Sequence, residues 1–304
     1  MNITTKYVVG LGEVLWDVLP QGKKIGGAPA NFAFHASQFG LPTKIVSAIG
    51  NDDLGDEIIS VFSEKHLDLE IVRVAYPTGQ VSVTLDAQGV PQYNICEGVA
   101  WDHIPFTSQL KQLALHTRAV CFGSLAQRNK ESRASIQQFL NTMPDGKGQY
   151  KIFDINLRQH FYTRELISES LAHANVLKIN DEELVIVSNI FGYEWDESKL
   201  KEICKAFLLQ FNLDMVILTC GTKGSYVFTL TCCSFVDTPQ VKVVDTVGAG
   251  DSFTGSFVAA LLNGLPVAEA HKLAVKVSAF VCQNEGAMPE LSPYLKEQGM
   301  GNII

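Results

Sequence analysis

Short apolar runs alternate with amphipathic stretches along most of the chain. YVVGLG from Tyr7, KIVSAIG from Lys44, RAVCFGS from Arg118, YKIFDIN from Tyr150, NVLKIN from Asn175 and DMVILTCG from Asp214 read as strands. Between them lie helical patterns. Ala30 to Phe39 predicts a helix ended by Gly40. DLGDEIISVFSEKHL predicts another, with Ile58, Val61 and Phe62 on one face. ESRASIQQFLNTM and ESKLKEICKAFLLQF repeat the theme later. Strands alternating with helices imply right-handed βαβ units and a mainly parallel, doubly wound sheet with helices on both faces.

One segment departs from this rhythm. From Ile71 to Ala100, Val81, Val83 and Leu85 alternate with polar residues, DAQG supplies a turn, and Tyr93 and Ile95 resume the alternation. That pattern predicts an antiparallel hairpin from Val81 to Cys96 rather than a βαβ unit. A small antiparallel sheet on an α/β core is expected to serve as a lid, and its free edge offers a surface for a homodimer. No linker, internal repeat or low-complexity tract interrupts the chain, so residues 1–304 are expected to form one domain.

Composition changes this picture little. The 304 residues are 46% hydrophobic and 18% charged, a globular balance. The net charge of −8, without a Lys/Arg cluster, argues against nucleic acid or an anionic membrane as partner. No basic leader with an apolar stretch opens the chain, and no apolar run approaches a membrane span. Seven cysteines without CxxC spacing read as reduced thiols of a cytoplasmic protein. The seven histidines show neither HxH nor HExxH spacing, so a zinc centre is not expected.

The candidate chemistry lies in three glycine-rich turns. VVDTVGAGDSFTGSFVAALLNG predicts a helix from about Asp251 to Asn263, stopped by Gly264. Gly248, Ala249 and Gly250 precede its first turn, where converging N–H groups and the helix dipole make an anion site. Asp251 is then either an N-cap or a carboxylate placed beside the anion for chemistry. The dipole is expected to favour its ionised form. TCGTKG puts Gly221 and Gly224 around Lys223 at a strand end, either a plain turn or a second phosphate-sized loop. KKIGGAPANFAFH sets Gly26 and Gly27 before Pro29 and a helix carrying Asn31, whose amide suits a hydroxyl; the same residues also make a tight strand-to-helix turn. GxxxxGK[ST] is absent, and GLGEVL lacks the third glycine of a dinucleotide fingerprint.

Taken together, these segments resemble the ribokinase, or PfkB, family of carbohydrate kinases. GGAPANFA, followed by Gly40 and Gly50, and DTVGAGDSFTGSFV match its two signatures in full. The order of elements fits almost the whole chain. GEVLWDVLP, FGSLAQR, FDINLR and NDEE are similar to bacterial fructokinase segments, the last two being the DxNxR and NxxE motifs. The resemblance implies a ribokinase-like fold, with a lid formed mainly by about 12–20 and 71–100. It also implies ATP-dependent phosphorylation of a sugar hydroxymethyl group with Mg²⁺, most directly D-fructose to fructose 6-phosphate.

Residue by residue, the resemblance makes Asp251 the base that takes the hydroxyl proton. Gly248, Ala249 and Gly250 would receive the transferring phosphoryl group. Asp17, Gly26, Gly27 and Asn31 would hold the sugar, with Gln127 near its far side. Asn180 and Glu183 would organise Mg²⁺ and its waters. Thr219, Gly221, Lys223, Gly224 and Asn284 would lie along the nucleotide. Arg158 would neutralise phosphate charge or touch the sugar. Asp245, Val247 and Gly286 would form a site for an activating K⁺. Glu97 is a candidate for a sugar contact near the lid; Trp16 and Trp101 could also contact sugar but read first as packed residues, as does His35. Ribokinases often carry a sugar-binding Glu after the lid, where this chain has Ala126-Gln127, a departure that argues against ribose.

Overall fold

The protein is described by a computed structural model that covers residues 5–19, 22–85 and 91–301. Thirteen strands occur among these residues: β1 (Tyr7–Leu11), β2 (Leu15–Leu19), β3 (Gly22–Gly26), β4 (Thr43–Ile49), β5 (Leu69–Arg73), β6 (Gly79–Leu85), β7 (Pro91–Ile95), β8 (Thr117–Phe122), β9 (Tyr150–Asp154), β10 (Val176–Asn180), β11 (Met215–Thr219), β12 (Ser225–Phe228) and β13 (Cys233–Val236). Nine form a sheet in the order β13-β12-β11-β10-β9-β8-β1-β4-β5. The seven from β11 to β5 run parallel, and β12 and β13 continue antiparallel at one edge. The chain leaves β1 toward β4 and β5, then returns past β1 to add β8, β9, β10 and β11 on its other side. That reversal opens a crevice at the carboxyl ends of β1 and β8, the natural ligand position in such a sheet.

Successive residues of each central strand face opposite cores. Val9, Leu11, Phe122, Phe153 and Leu177 pack on one side, under helices that contribute Leu110, Ile136, Ile167 and Phe207. Val8, Ile45, Cys121, Ile152 and Val176 pack on the other, against Phe32, Ile58, Phe253 and Leu273. Burial on both faces explains why these strands read as continuous apolar runs.

The remaining four strands form a small sheet in the order β3-β2-β6-β7. Its two hairpins, β2–β3 and β6–β7, are antiparallel, and β2 joins β6 in parallel. The DAQG turn lies outside the described residues. The expected lid segment needs redrawing on two counts. Residues 69–73 are the edge strand of the large sheet, because β5 pairs with β4. Residues 22–26 belong to the small sheet, because β3 pairs along the whole of β2.

Helix boundaries shift by a few residues. The early helix spans Ala28–Ser37, so Pro29 sits in its first turn without leaving an amide unsatisfied. The C-terminal helix spans Ala249–Leu262 with Gly248 as its N-cap in the left-handed region at φ 76°. Asp251 is therefore its third residue and not its cap, which corrects one of the two sequence readings. No helix among the described residues is long and apolar enough to cross a membrane.

These two helices cross at Gly255. A β-carbon there would lie 2.6 Å from the Phe32 carbonyl oxygen and 3.0 Å from His35 Cβ. His35 itself is fully buried, its Nε2 2.8 Å from the Ala287 carbonyl oxygen, and burial lowers its pKa to about 4. It is a neutral packing residue. Gly255→Ala should force the helices apart and destabilise the fold by about 1–3 kcal/mol, the range for overpacking a close contact. Urea unfolding of the variant against the parent chain measures it.

Candidate active site

One cleft of about 1040 Å³ runs along the carboxyl ends of the parallel strands. At one end it is walled by the small sheet, through Leu15, Asp17, Val81 and Ile95. At the other it reaches the β11–β12 turn, through Thr219, Gly221 and Gly224. The first turn of the Ala249–Leu262 helix forms the floor between them.

The floor is built by glycines that nothing larger could replace. A β-carbon on Gly248 would lie 2.6 Å from Ala287 Cβ. One on Gly250 would lie 3.0 Å from Lys178 Nζ, so the lysine ammonium sits directly against this turn. The first-turn amides of the helix lack intrahelical acceptors and carry partial positive charge, so the turn is suited to an anion.

Asp251 rises from this turn and accepts a hydrogen bond from Asn31 Nδ2 at 2.7 Å. Burial and then the nearby Asp154 charge raise its pKa to about 6, while Asn31, Lys178 and Arg158 pull it down. The expectation that the helix dipole would set its ionisation is corrected: desolvation wins, because a carboxylate in a closed floor loses more hydration than one helix end returns. At neutral pH the group is ionised yet unusually ready to take a proton.

Lys178, Asp154 and Glu13 complete the charge cluster, and sequence reasoning assigned none of them a role. Lys178 and Asp154 are register neighbours on β10 and β9, with an ion pair of 3.2 Å, and both are nearly inaccessible. Burial pushes the Lys178 pKa down, but Asp154, Glu183 and Asp251 outweigh it and hold the ammonium charged. The signal was a lone lysine in the apolar run VLKIN, since a charge in a buried strand must be paired. Glu13 follows β1 in GEVLWD and is only 3% exposed at the cleft wall.

The other assigned residues divide clearly. Asp17 on β2 lines the cleft, and its pKa is raised by burial. Its Oδ2 lies 2.7 Å from where a Gly26 β-carbon would stand, so Gly26 makes room for it. Gly27, at φ 126°, leaves no space for a side chain beside the Glu13 carbonyl, 2.4 Å from its β-position. Asn180 and Glu183 close a reciprocal cap: Glu183 N–H donates to Asn180 Oδ1 at 2.8 Å, and Asn180 N–H donates to Glu183 Oε2 at 3.0 Å. Glu183 Oε1 also accepts from Leu157 N–H at 2.9 Å, tying down the loop that presents Arg158 to the cleft. Burial raises the Glu183 pKa.

Five assigned residues do not line the cleft: Lys223, Gln127, Asn284, Asp245 and Gly286. Lys223 turns outward to Glu197, 2.9 Å away, both exposed. Gln127 is buried, donating to the Gly123 carbonyl and Ser170 Oγ. Asn284, just past the helix Val267–Val281, donates to the Phe280 carbonyl in that helix's last turn. Spacing located these positions but not the direction of their side chains. Trp16 Nε1 donates to the Leu54 carbonyl, Trp101 is fully buried under the Arg128 guanidinium, and Glu97 lines a separate smaller cavity. Asp245 gathers the N–H groups of Val247 and Gly286, at 3.0 and 3.2 Å, and pairs with Lys24 of β3 at 3.3 Å. No cluster of three or more His, Cys, Asp or Glu side chains fit for a metal occurs among the described residues, and all seven cysteines are free thiols.

The model of the pfkB family carbohydrate kinases matches residues 8–293. An ATP-dependent 6-phosphofructokinase of Thermoanaerobacterium thermosaccharolyticum is 29% identical, the match covering 94% of this chain and 91% of that protein. A probable fructokinase of Arabidopsis thaliana is 25% identical, covering 95% of each chain. The crystal structure of Salmonella enterica aminoimidazole riboside kinase, complexed with aminoimidazole riboside and an ATP analogue, superposes with a TM-score of 0.78 at 24% identity. That superposition covers 98% of this chain and all of the other.

Replacing Lys178 strands buried carboxylates. Lys178→Met should cost about 3–5 kcal/mol at pH 7, the range for breaking a buried ion pair from one side. The loss should shrink as pH falls, because Glu183 and Asp251, whose pKa values are already raised by burial and would rise further without the ammonium, take up protons in the folded state. Urea unfolding across pH measures both effects.

Proposed function

The chain belongs to the pfkB family of carbohydrate kinases, phosphotransferases with an alcohol acceptor, and from that premise we propose that it moves the γ-phosphoryl group of ATP to the hydroxymethyl group of a sugar, D-fructose to fructose 6-phosphate. One observation carries this reading: Asp251, its pKa near 6, stands in the anion-receiving turn and touches Asn31 on the acceptor side of the cleft.

The chemistry follows from that placement. Asp17, Gly27 and Asn31 hold the sugar so that its hydroxymethyl oxygen faces Asp251. The γ-phosphoryl group lies on the Gly248–Ala249–Gly250 turn, with Lys178 adding positive charge beneath it. As the sugar oxygen bonds to phosphorus and the bond to the ADP oxygen breaks, Asp251 accepts the hydroxyl proton. Such a transfer has a loose transition state, so it is accelerated mainly by position and by electrostatic stabilisation of the phosphoryl oxygens. A pKa near 6 matches a base working close to neutral pH. The backbones of Gly221 and Gly224 and the Thr219 side chain lie along the nucleotide, and Arg158 faces the phosphates from the β9 loop. The small sheet is the lid that keeps water from ATP.

Mg²⁺ fits the donor set. It binds through one or two carboxylates and substrate phosphates, and Glu183 with Asn180 supplies hard oxygen donors at that point of the cleft. Mg²⁺ so held would neutralise phosphate charge. Potassium has less support, because Asp245 is already satisfied by two amides and the Lys24 ammonium. A second acceptor class deserves a place in the test, since a 6-phosphofructokinase is among the relatives.

A coupled assay of ADP release over fructose, tagatose, ribose, keto-deoxygluconate and fructose 6-phosphate, with and without K⁺, decides the acceptor. Fructose should give the highest kcat/KM and K⁺ should change it little. No turnover with any sugar overturns the reading. Asp251→Asn should lower kcat by at least ~10²-fold, with ATP and sugar binding largely kept. The parent enzyme's kcat should fall as pH drops through about 6, because protonation of Asp251 removes the base.

A further inference from the structure

Two residues that line the acceptor end of the cleft each keep a buried acceptor atom without a donor. Glu13 Oε2 and Asn31 Oδ1 are both inaccessible and make no hydrogen bond, while both residues, each 3% exposed, line the cleft wall. Asn31 uses its Nδ2 on Asp251, so its remaining atom can only accept. The Glu13 carboxyl group is held by the backbone of Ala28, the first residue of the helix that carries Asn31. Buried polar atoms are nearly always paired in folded proteins, and an orphan in a cleft marks a partner that arrives with the ligand.

The chemistry of that partner is constrained by charge. Glu13, Asp17 and Asp251 present three carboxyl groups to this end of the cleft, and Arg158 is the exposed cation nearest them. Lys178 is already paired with Asp154. On the small sheet, Lys23 pairs with Glu57 and Lys24 with Asp245. Hydroxyl groups donate to orphan acceptors, whereas a carboxylate or phosphate brings only further acceptors and negative charge. Burial, with the Asp251 charge adding to it, raises the Glu13 pKa to about 7, the mark of a carboxyl group whose own donors do not suffice.

We propose that Glu13 is a substrate-binding residue, its Oε2 and the Oδ1 of Asn31 each accepting a hydroxyl hydrogen of the acceptor, and that this pair selects neutral polyhydroxylated acceptors over sugar acids and sugar phosphates. The inference rests on the kinase reading above and names the substrate class for the same site. Glu13 would work in ground-state binding, apart from the proton transfer at Asp251. Its removal should therefore appear in the sugar KM and leave the nucleotide terms alone.

The test measures steady-state kinetics and sugar binding by calorimetry for the parent enzyme, Glu13→Gln and Glu13→Ala. The acceptors are a neutral ketohexose, its 6-phosphate and a sugar acid. Turnover by the parent enzyme with any acceptor establishes phosphoryl transfer, so failure of that reading is seen separately. Glu13→Gln should raise the ketohexose KM and Kd at least ~10-fold, about 1.4 kcal/mol of binding. Its kcat and ATP KM should stay within about 2-fold by the same reasoning. Glu13→Ala should weaken the sugar further. The parent's preference for the neutral sugar over both anions should narrow in Glu13→Gln. An unchanged sugar KM in both folded variants overturns the role, as does a joint loss of kcat, ATP affinity and thermal stability, which marks a structural residue. A parent enzyme that prefers an anionic acceptor overturns the selectivity.

Discussion

A single buried ammonium governs the floor of the cleft. Lys178 lies among Asp154, Glu183 and Asp251 and against the backbone of Gly250. Without it, carboxylates would crowd a low-dielectric space in which like charges cannot all remain ionised. With it, Asp251 stays ionised at neutral pH although burial has already lifted its pKa to about 6. The glycine at position 250 then has two reasons to be a glycine: the turn must present its amides to an anion, and the lysine needs the space a β-carbon would take. The electrostatics of the site and the backbone of its best-marked motif are one arrangement.

The geometry of the fold delivers the other half of the site to that floor. Asn31 and Asp251 come from helices more than two hundred residues apart in sequence, brought to 2.7 Å because Gly255 lets the helices touch. The acceptor end gathers around the switch point, where β1 runs into Glu13 and the small sheet supplies Asp17. The nucleotide end lies further along the same edge, at β10 and β11. The parallel sheet thus separates the two ends of the cleft by strand position, and the helix turn lies between them.

Much of this was legible in the sequence, and for identifiable reasons. Strands buried on both faces announce themselves as apolar runs, and glycines forced by close backbone approach stand out in a helix-starting context. The GAGD turn and the GG pair before Asn31 were found that way, whereas NDEE was marked only by its resemblance to the NxxE motif and its reciprocal cap emerged from the structure. Side-chain direction is not encoded by such patterns. Lys223 sits where a phosphate-binding lysine was expected but turns to Glu197, and Gln127 folds inward to Gly123 and Ser170. Asp251 is ionised at neutral pH as expected but more basic than the helix dipole suggests, because the desolvation that raises its pKa to about 6 is a property of the assembled floor and is not visible in sequence.

The residues that sequence reasoning missed are of a different kind. Lys178 is a lone charge inside an apolar strand, Glu13 follows the end of another, and Asp154, although the first residue of the DxNxR segment, was given no role of its own. A charge placed there is costly unless another buried group answers it. Lys178 and Asp154 answer each other by charge across adjacent strands, although Asp154 Oδ1 also lacks a hydrogen-bond donor. Glu13 and Asn31 are answered only in part, each keeping one acceptor without a donor. Among these residues with an unsatisfied buried atom, Glu13 and Asn31 line the cleft and Asp154 does not, so position at the cleft wall, not the missing donor alone, sets the first two apart.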